Sequence, residues 1–265
     1  MYKIAFIGAG KMAEAMLREL LRSGWATAEE VVLSDADASR LEKMRAEFGT
    51  AAAGSNPSAA RESETVLLAV KPQKLEVVLK EIAPALRPTQ TVISIAMGKT
   101  TRFIESLLPE GVPVVRAMPN NAAMVGAAVS VLSYGRHAGT EARDKAREIL
   151  SRLGEVYELD ESLQDEAMAI SGCGPAYFYL IAEALSDAGV RLGLDRDLAL
   201  KLAVGTMVGS GMMLRHSGHH PAYLKDMVTS PGGSTIAALE QFEEAGLRNA
   251  FYKAVAAACR RAKEA

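Results

Sequence analysis

A chain of 265 residues has room for one large or two ordinary domains and for a core that needs no metal or disulfide staple. Apolar residues make up 49% and charged residues 23%, which excludes a disordered or collagen-like chain. Thirty Lys and Arg stand against 32 Asp and Glu, a net charge of -2, so no global field draws the chain to nucleic acid or to an anionic membrane. The two cysteines, Cys173 and Cys259, form no disulfide framework. Neither has the Cys or His neighbours of a metal site, and the thiols read as reduced. Met1 to Gly10 is too short an apolar stretch for a signal peptide. The longest uncharged run, Ala117 to Gly135, holds Pro119, Asn120 and Asn121 and is unsuited to lipid. A soluble, cytoplasmic protein is expected, without metal, nucleic-acid or membrane partners.

In chain order, short and mostly apolar runs read as strands at Lys3 to Ile7, Val31 to Ser34, Thr65 to Val70, Thr91 to Ile95, Val112 to Arg116 and Val129 to Leu132. Met12 to Ser23, Ala38 to Phe48 and Leu75 to Leu86 repeat apolar residues at helical spacing between them. Glu141 to Leu153 reads as a further helix and Glu155 to Glu158 as a last strand. This βαβ series predicts an α/β fold, a parallel sheet with helices on both faces. Beyond Asp160 the pattern is helical. A long helix from Leu163 to Leu192 is interrupted at Ser171–Pro175, and another runs from Arg196 to Arg215. Shorter helices follow Pro221 and Gly233, and a terminal one starts at Leu247. Two domains are expected, 1–160 and 161–265. Gly205, Gly209 and Ser210 suit close approach of another backbone, and so many apolar helix faces suggest burial against a second chain, with intrachain packing as the alternative.

Five segments carry chemistry. Gly8-Ala-Gly10-Lys-Met-Ala13 follows the first strand and opens the first helix, the dinucleotide fingerprint. Gly8 permits the tight turn, Gly10 admits a pyrophosphate and the helix start offers amide donors. Asp35 ends the second strand, about 20 residues beyond the fingerprint, where an acidic residue holds the ribose hydroxyls of NAD. The alternative for Asp35 is a cap on the helix beginning near Asp37. If Asp35 turns outward, Ser34, Ser39 and Arg40 accommodate NADP, so the cofactor preference stays open. The strand ends Ala69-Val70-Lys71-Pro72 and Ser94-Ile-Ala96-Met97-Gly98 are expected to border the cofactor. In Ser230-Pro-Gly232-Gly233-Ser234-Thr235, bare glycines lead into a helix whose amides, with two hydroxyls, favour an anion such as a substrate carboxylate. The alternative there is a helix cap alone. Cys173 lacks a neighbouring His and reads as a small buried thiol.

The segments Phe6–Met12, Ala69–Pro72, Arg116–Asn120, Ser171–Tyr177 and above all Leu224–Thr235 resemble the pyrroline-5-carboxylate reductases, and the likeness covers essentially the whole chain. It implies a Rossmann-like N-terminal domain and an all-α C-terminal domain that dimerises by interleaving. It also implies NAD(P)H as hydride donor and reduction of 1-pyrroline-5-carboxylate to L-proline. By position, Gly8, Gly10, Lys11, Met12, Ser34, Asn56, Ala69, Lys71 and Met97 would line the cofactor, and Ser230, Gly232, Gly233, Ser234 and Thr235 would hold the substrate carboxylate. Cys173 stands where the family usually has Ser, and Asn121-Ala122 replaces Thr-Pro. Asp35 replaces residues friendlier to a 2′-phosphate. With no convincing His or carboxylate as general acid, either the imine arrives protonated or Thr235 relays the proton through a water.

Two other readings compete with this one. β-Hydroxyacid dehydrogenases join similar domains but rely on a lysine of the long interdomain helix, and none occurs between Lys145 and Lys201. A nucleotide sensor without turnover would not need the second, carboxylate-binding loop.

Overall fold

The computed structural model describes residues 1–264. Its first strand, β1 (Tyr2–Ile7), passes through the glycine turn into α1 (Lys11–Arg22). There follow β2 (Val31–Ser34), α2 (Ala38–Phe48), β3 (Ala51–Ala52), α3 (Asn56–Arg61), β4 (Ser63–Leu68), α4 (Pro72–Ile82), β5 (Thr91–Ser94), α5 (Thr101–Glu105) and β6 (Val114–Pro119). β7 (Ala128–Tyr134), α6 (Thr140–Ser151) and β8 (Gly154–Glu158) complete an eight-stranded sheet of order β3-β2-β1-β4-β5-β6-β7-β8. Three of these elements, β3, α3 and α5, are absent from the sequence reading, because each is too short to show a period.

Strand side chains alternate between two cores. Ile4, Phe6, Leu67, Ile93 and Val115 meet Met16, Leu17 and Leu20 of α1 and Ile149 and Leu150 of α6 on one face. Ile7, Val66, Leu68, Val92 and Val114 meet Leu75, Leu79 and Ile82 of α4 on the other. The expected all-parallel sheet needs one correction, since β6 and β7 are antiparallel. Residues 120–127 between them hold only a short 3-10 turn, Asn121–Val125, too little chain for a crossover helix. β8 then pairs parallel with β7. The uncharged run Ala117 to Gly135 is accounted for by these two buried strands.

The compact units divide between Cys173 and Gly174, beyond the expected boundary at 160, and the described residues from Ala258 onward join the first unit. Side chains explain the shift. Arg116, buried on β6, pairs with Glu161 at 3.5 Å and Asp165 at 3.1 Å, and Glu161 also accepts from the amide and hydroxyl of Thr101. In α7 (Gln164–Ser171), the fully buried Gln164 donates to the Ser133 hydroxyl of β7 at 3.0 Å. Asn120 donates to the Ser171 carbonyl at 3.0 Å and accepts from the Val129 amide at 3.2 Å. That carbonyl needs an outside donor because the residue four places on is Pro175, which has no N–H. At the chain's end, Lys263 donates to Glu166 at 2.6 Å and holds its carboxyl below the usual range.

The second unit, Gly174–Ala257, is all helical: α8 (Gly174–Arg191), α9 (Arg196–Ser217), α10 (Pro221–Met227), α11 (Ser234–Glu244) and most of α12 (Leu247–Lys263). α8 and α9 pack as a hairpin in which a Cβ on Gly189 would stand 3.0 Å from that of Ala199. Asp195 caps α9 through the amides of Asp197 and Leu198. Their other faces are bare. Phe178, Leu180, Leu202, Val208 and Met212 are each more than half exposed, and a Cβ built on Gly205 or Gly209 would meet nothing within 4 Å beyond its own helix backbone among the described residues. By length and composition alone, Glu161–Arg191 and Arg196–Ser217 are apolar enough to cross a bilayer.

The order of strands reverses at β1, with β2 on one side and β4 on the other, and Gly8 lies at that switch. Its φ of +101° is a left-handed conformation, and a Cβ there would meet the Ala69 carbonyl carbon and oxygen at 2.7 Å. Gly10 has φ -72° and a Cβ on it would meet only Arg40 Nη1, at 4.0 Å. Gly8→Ala is therefore expected to cost about 1 to 3 kcal/mol of stability or more, from strain before any clash. Gly10→Ala should stay within about 0.5 kcal/mol of the parent. Urea unfolding followed by circular dichroism reads both, and equal midpoints for the two variants would contradict the placement.

Candidate active site

In an open parallel sheet a ligand binds beyond the carboxyl ends of the strands at the switch point, here the edge where β1, β2, β4 and β5 end. The expected cofactor residues gather there. The Gly8 amide donates to the Ser34 carbonyl at 2.8 Å and the Ala69 amide to the Ile7 carbonyl at 2.8 Å, fastening the glycine turn to the ends of β2 and β4. Gly8 packs on Ala69 and Val70. Lys71 is the exposed N-cap of α4, and Pro72 its first residue, a place where the missing N–H costs nothing. Beyond β5, Ala96 is buried and its amide donates to the Ser94 hydroxyl, while Met97 is exposed.

α1 starts without a side-chain cap. Gly10 is its N-cap, and the first intrahelical bond runs from the Glu14 amide to the Gly10 carbonyl. The amides of Lys11, Met12 and Ala13 thus lack intrahelical partners and concentrate the positive end of the helix dipole. A pyrophosphate fits this opening, since a Cβ built on Gly10 would meet only Arg40 Nη1, at 4.0 Å.

Both alternatives for Asp35 find an answer in its two oxygens. Oδ2 accepts from the Ala9 amide, inside the glycine turn, at 2.6 Å, and Oδ1 accepts from the Asp37 amide at 2.8 Å. Asp35 thus faces the turn. The cap of α2 is Asp37, which accepts from the Arg40 amide at 3.1 Å. Ser34 donates to Asn56 Oδ1 at 2.7 Å, and Asn56 Nδ2 donates to Glu81 at 2.9 Å, so strand end and α3 start are held together. The Ala9 and Glu81 partnerships have no signature in the sequence, because each joins residues far apart in the chain by a single hydrogen bond.

The second loop lies in the helical unit. Gly232 has φ +65° and Gly233, extended at φ -80°, is the N-cap of α11, again without a side-chain cap. The Gly233 amide closes the turn onto the Ser230 carbonyl at 3.1 Å, so it is not among the free donors expected there. A Cβ on Gly233 would stand 2.3 Å from Ser230 Oγ, which explains the glycine. The open amides belong to Ser234, Thr235 and Ile236, with the first intrahelical bond from Ala237 to Gly233. Ser234 is exposed and Thr235 half-buried. A cleft of about 460 Å³ borders the loop on its Gly232–Gly233 side. Ile236, Glu240 and Glu243 line it, together with Lys225, which the sequence reading passed over and which pairs with Asp226 at 2.9 Å. Ser230, Ser234 and Thr235 do not line that cleft.

Cys173, expected to be buried, is half-buried, 3.6 Å from the Met168 sulfur and beside a small cluster of Met118, Met168 and Ala262.

Comparison with known proteins places the chain in a family. Residues 161–265 match a family model described as pyrroline-5-carboxylate reductase dimerisation. Residues 3–98 match one described as NADP oxidoreductase coenzyme F420-dependent. The chain is 42% identical to the pyrroline-5-carboxylate reductase of Methanosarcina acetivorans, across 99% of this chain and 97% of that one. Among solved structures it resembles the pyrroline carboxylate reductase of Plasmodium falciparum with NADP bound, at a TM-score of 0.90 and 30% identity over 99% and 97% of the two chains. It also resembles the pyrroline-5-carboxylate reductase of Coxiella burnetii, at a TM-score of 0.91 and 33% identity over 99% and 98%. The chain belongs to the pyrroline-5-carboxylate reductase family.

Proposed function

We propose that the reduction of 1-pyrroline-5-carboxylate to L-proline, the activity of this family, runs here on a dinucleotide bound at the uncapped start of α1 and a carboxylate bound at the uncapped start of α11. The observation that carries the reading is the first of these openings, an unfilled helix start behind Gly8 and Gly10 at the switch point of the sheet. Gly8, Gly10, Lys11, Met12, Ser34, Asp35, Asn56, Ala69, Val70, Lys71, Pro72, Ala96 and Met97 surround the nucleotide. When bound, the reduced nicotinamide supplies a hydride. Asp35, facing the turn, accepts from the ribose hydroxyls, which favours NADH.

The Ser234 and Thr235 amides hold the substrate carboxylate, with the Ser230 and Thr235 hydroxyls adding donors and Gly232 and Gly233 leaving room for close approach. Protonating the ring nitrogen makes the adjacent carbon a better hydride acceptor, so the site orients an iminium. Thr235 has no side-chain hydrogen bond to any described residue, which leaves its hydroxyl free for the carboxylate or for a water-mediated proton relay. The bare faces of α8 and α9 are covered by a second copy of the chain.

The direct test is loss of reduced-nicotinamide absorbance on adding the imine to purified protein. Loss with NADH or NADPH is expected, and no loss with either would overturn the reading. Thr235→Ala should weaken productive imine binding by about 0.5 to 3 kcal/mol, seen as a raised KM with nucleotide affinity unchanged. If Thr235 relays the proton, kcat falls as well, most at high pH where less iminium forms in solution. Wild-type constants across pH would remove Thr235 from the site. Light scattering at micromolar concentration should report a dimer or a multiple of one, and a monomer would leave the apolar faces of α8 and α9 unexplained.

A further inference from the structure

Resting on the carboxylate reading of the Ser230–Thr235 loop, we propose that His220 is a positioning residue for the substrate: its neutral imidazole holds the start of α10, and α10 sets where the Ser230 hydroxyl stands. His220 is the N-cap of α10, and its Nδ1 accepts from the Ala222 amide at 3.2 Å. Its carbonyl accepts from the amides of Tyr223 at 2.9 Å and Leu224 at 3.3 Å. Pro221, the first helical residue, has no N–H, so His220 alone satisfies every amide of the first turn.

A helix of seven residues with no buried side chain among the described residues depends on such end contacts. Its far end is fastened too. The Thr229 hydroxyl donates to the Lys225 carbonyl at 2.7 Å, and the Thr229 amide to the Asp226 carbonyl at 3.0 Å. Ser230 comes next, and its carbonyl accepts from the Gly233 amide at 3.1 Å. No slack chain separates α10 from the loop, so a displaced helix displaces Ser230.

The type of cap gives the arrangement a signature. Side-chain caps of other α-helices are Asp37, Ser55, Thr100 and Asp195, all of the usual kinds. An imidazole accepts only while neutral, and its charge changes between about pH 5 and 8. Once protonated, the ring turns an N–H and a positive charge onto the Ala222 amide, at the positive end of the helix. The cap is present with the neutral ring and lost as the ring protonates. Among the charged and titratable neighbours, His219 lies beside it with its ring centroid 4.5 Å from that of Tyr223, and Lys225 pairs with Asp226 at the far end. The part of α9 facing α10 across a cleft, Thr206, Gly209, Ser210, Met213 and Leu214, is uncharged, and Arg215 and His216 stand in the last turn of α9. On the α11 side, Glu240 and Glu243 share a cleft with Lys225. Of these imidazoles, that of His220 is the one bonded to the backbone of α10.

The test measures the imine KM, and inhibition by L-proline, in the full-length protein from about pH 5.5 to 8. The charges of L-proline do not change over this range, and since the imine itself titrates, each variant is compared with the parent at the same pH. His220→Ala should raise the imine KM and weaken L-proline inhibition about three- to tenfold at the alkaline end, with NAD(P)H affinity unchanged. His220→Asn, a cap that does not titrate, should restore both and hold them as the pH falls, while the parent drifts toward His220→Ala. His219→Gln should keep the parental profile. If His220→Ala fails to fold, the comparison of the parent with His220→Asn decides alone. Parental constants in His220→Ala, or an acid-side loss shared equally by the parent and His220→Asn, would overturn the role of His220 and leave the carboxylate site standing. A parent protein that oxidises no cofactor on addition of the imine would remove that site and the proposal with it.

Discussion

The contact on which the dinucleotide-binding half depends is the one between Gly8 and the end of β4. A backbone at φ +101°, with Ala69 2.7 Å from where a side chain would begin, admits no other residue without movement. Because β1 and β4 are neighbours, the crevice opens between their carboxyl ends, and because Gly8 is bare, the turn can pass against the Ala69 carbonyl before α1 begins. The other strand ends then fall into place by hydrogen bonds to this turn: Ser34 receives the Gly8 amide, Asp35 the Ala9 amide, and Ile7 the Ala69 amide. Separate segments, two through their backbone and Asp35 through its side chain, are thus fixed to one stretch of backbone, Ile7 to Ala9.

Much of this was legible in the sequence for a reason that can be stated. Strands buried on both faces are written as apolar runs, and a glycine pair between such a run and a helix has few other uses. What escaped was written in tertiary contacts. The antiparallel turn of β7 follows from the shortness of residues 120–127, which the apolar pattern does not report. The division at 173 instead of 160 follows from Arg116, Asn120 and Gln164 reaching across the chain. Asn120 is instructive, because Pro175 marked a break in the helix but not the carbonyl it would orphan at Ser171, nor the amide that meets it.

The loop before α11 was legible in outline and incomplete in detail. Its glycines lead into a helix as read, and the structure leaves that helix start without a side-chain cap. The Gly233 amide, counted among the donors, closes the turn itself. A string of residue types shows which backbone groups exist, whereas the turn decides which of them remain free. In the helical unit the apolar faces of α8 and α9 carry the same lesson, since the sequence shows that they are apolar and only the fold shows that the chain's own described residues leave them bare.

On the proposed reading, one more feature of the α11 site follows from the substrate. Its reactive form carries a negative carboxylate and a positive iminium within one small ring. A lysine or arginine placed on the carboxylate would repel the iminium only a few atoms away, and would work against the protonated state that accepts hydride. Backbone amides at a helix start act through partial charges whose influence fades within the first turn. They hold the anion with less penalty on the cation. Lys225, the nearest cation along the chain and a neighbour of Gly232 and Gly233 in the adjoining cleft, is balanced by Asp226, and that cleft also carries Glu240 and Glu243. Neutral donors with balanced or acidic surroundings are what a carboxylate joined to an iminium requires, so the absence of an arginine from the Ser230–Thr235 segment is consistent with an anion site suited to this substrate.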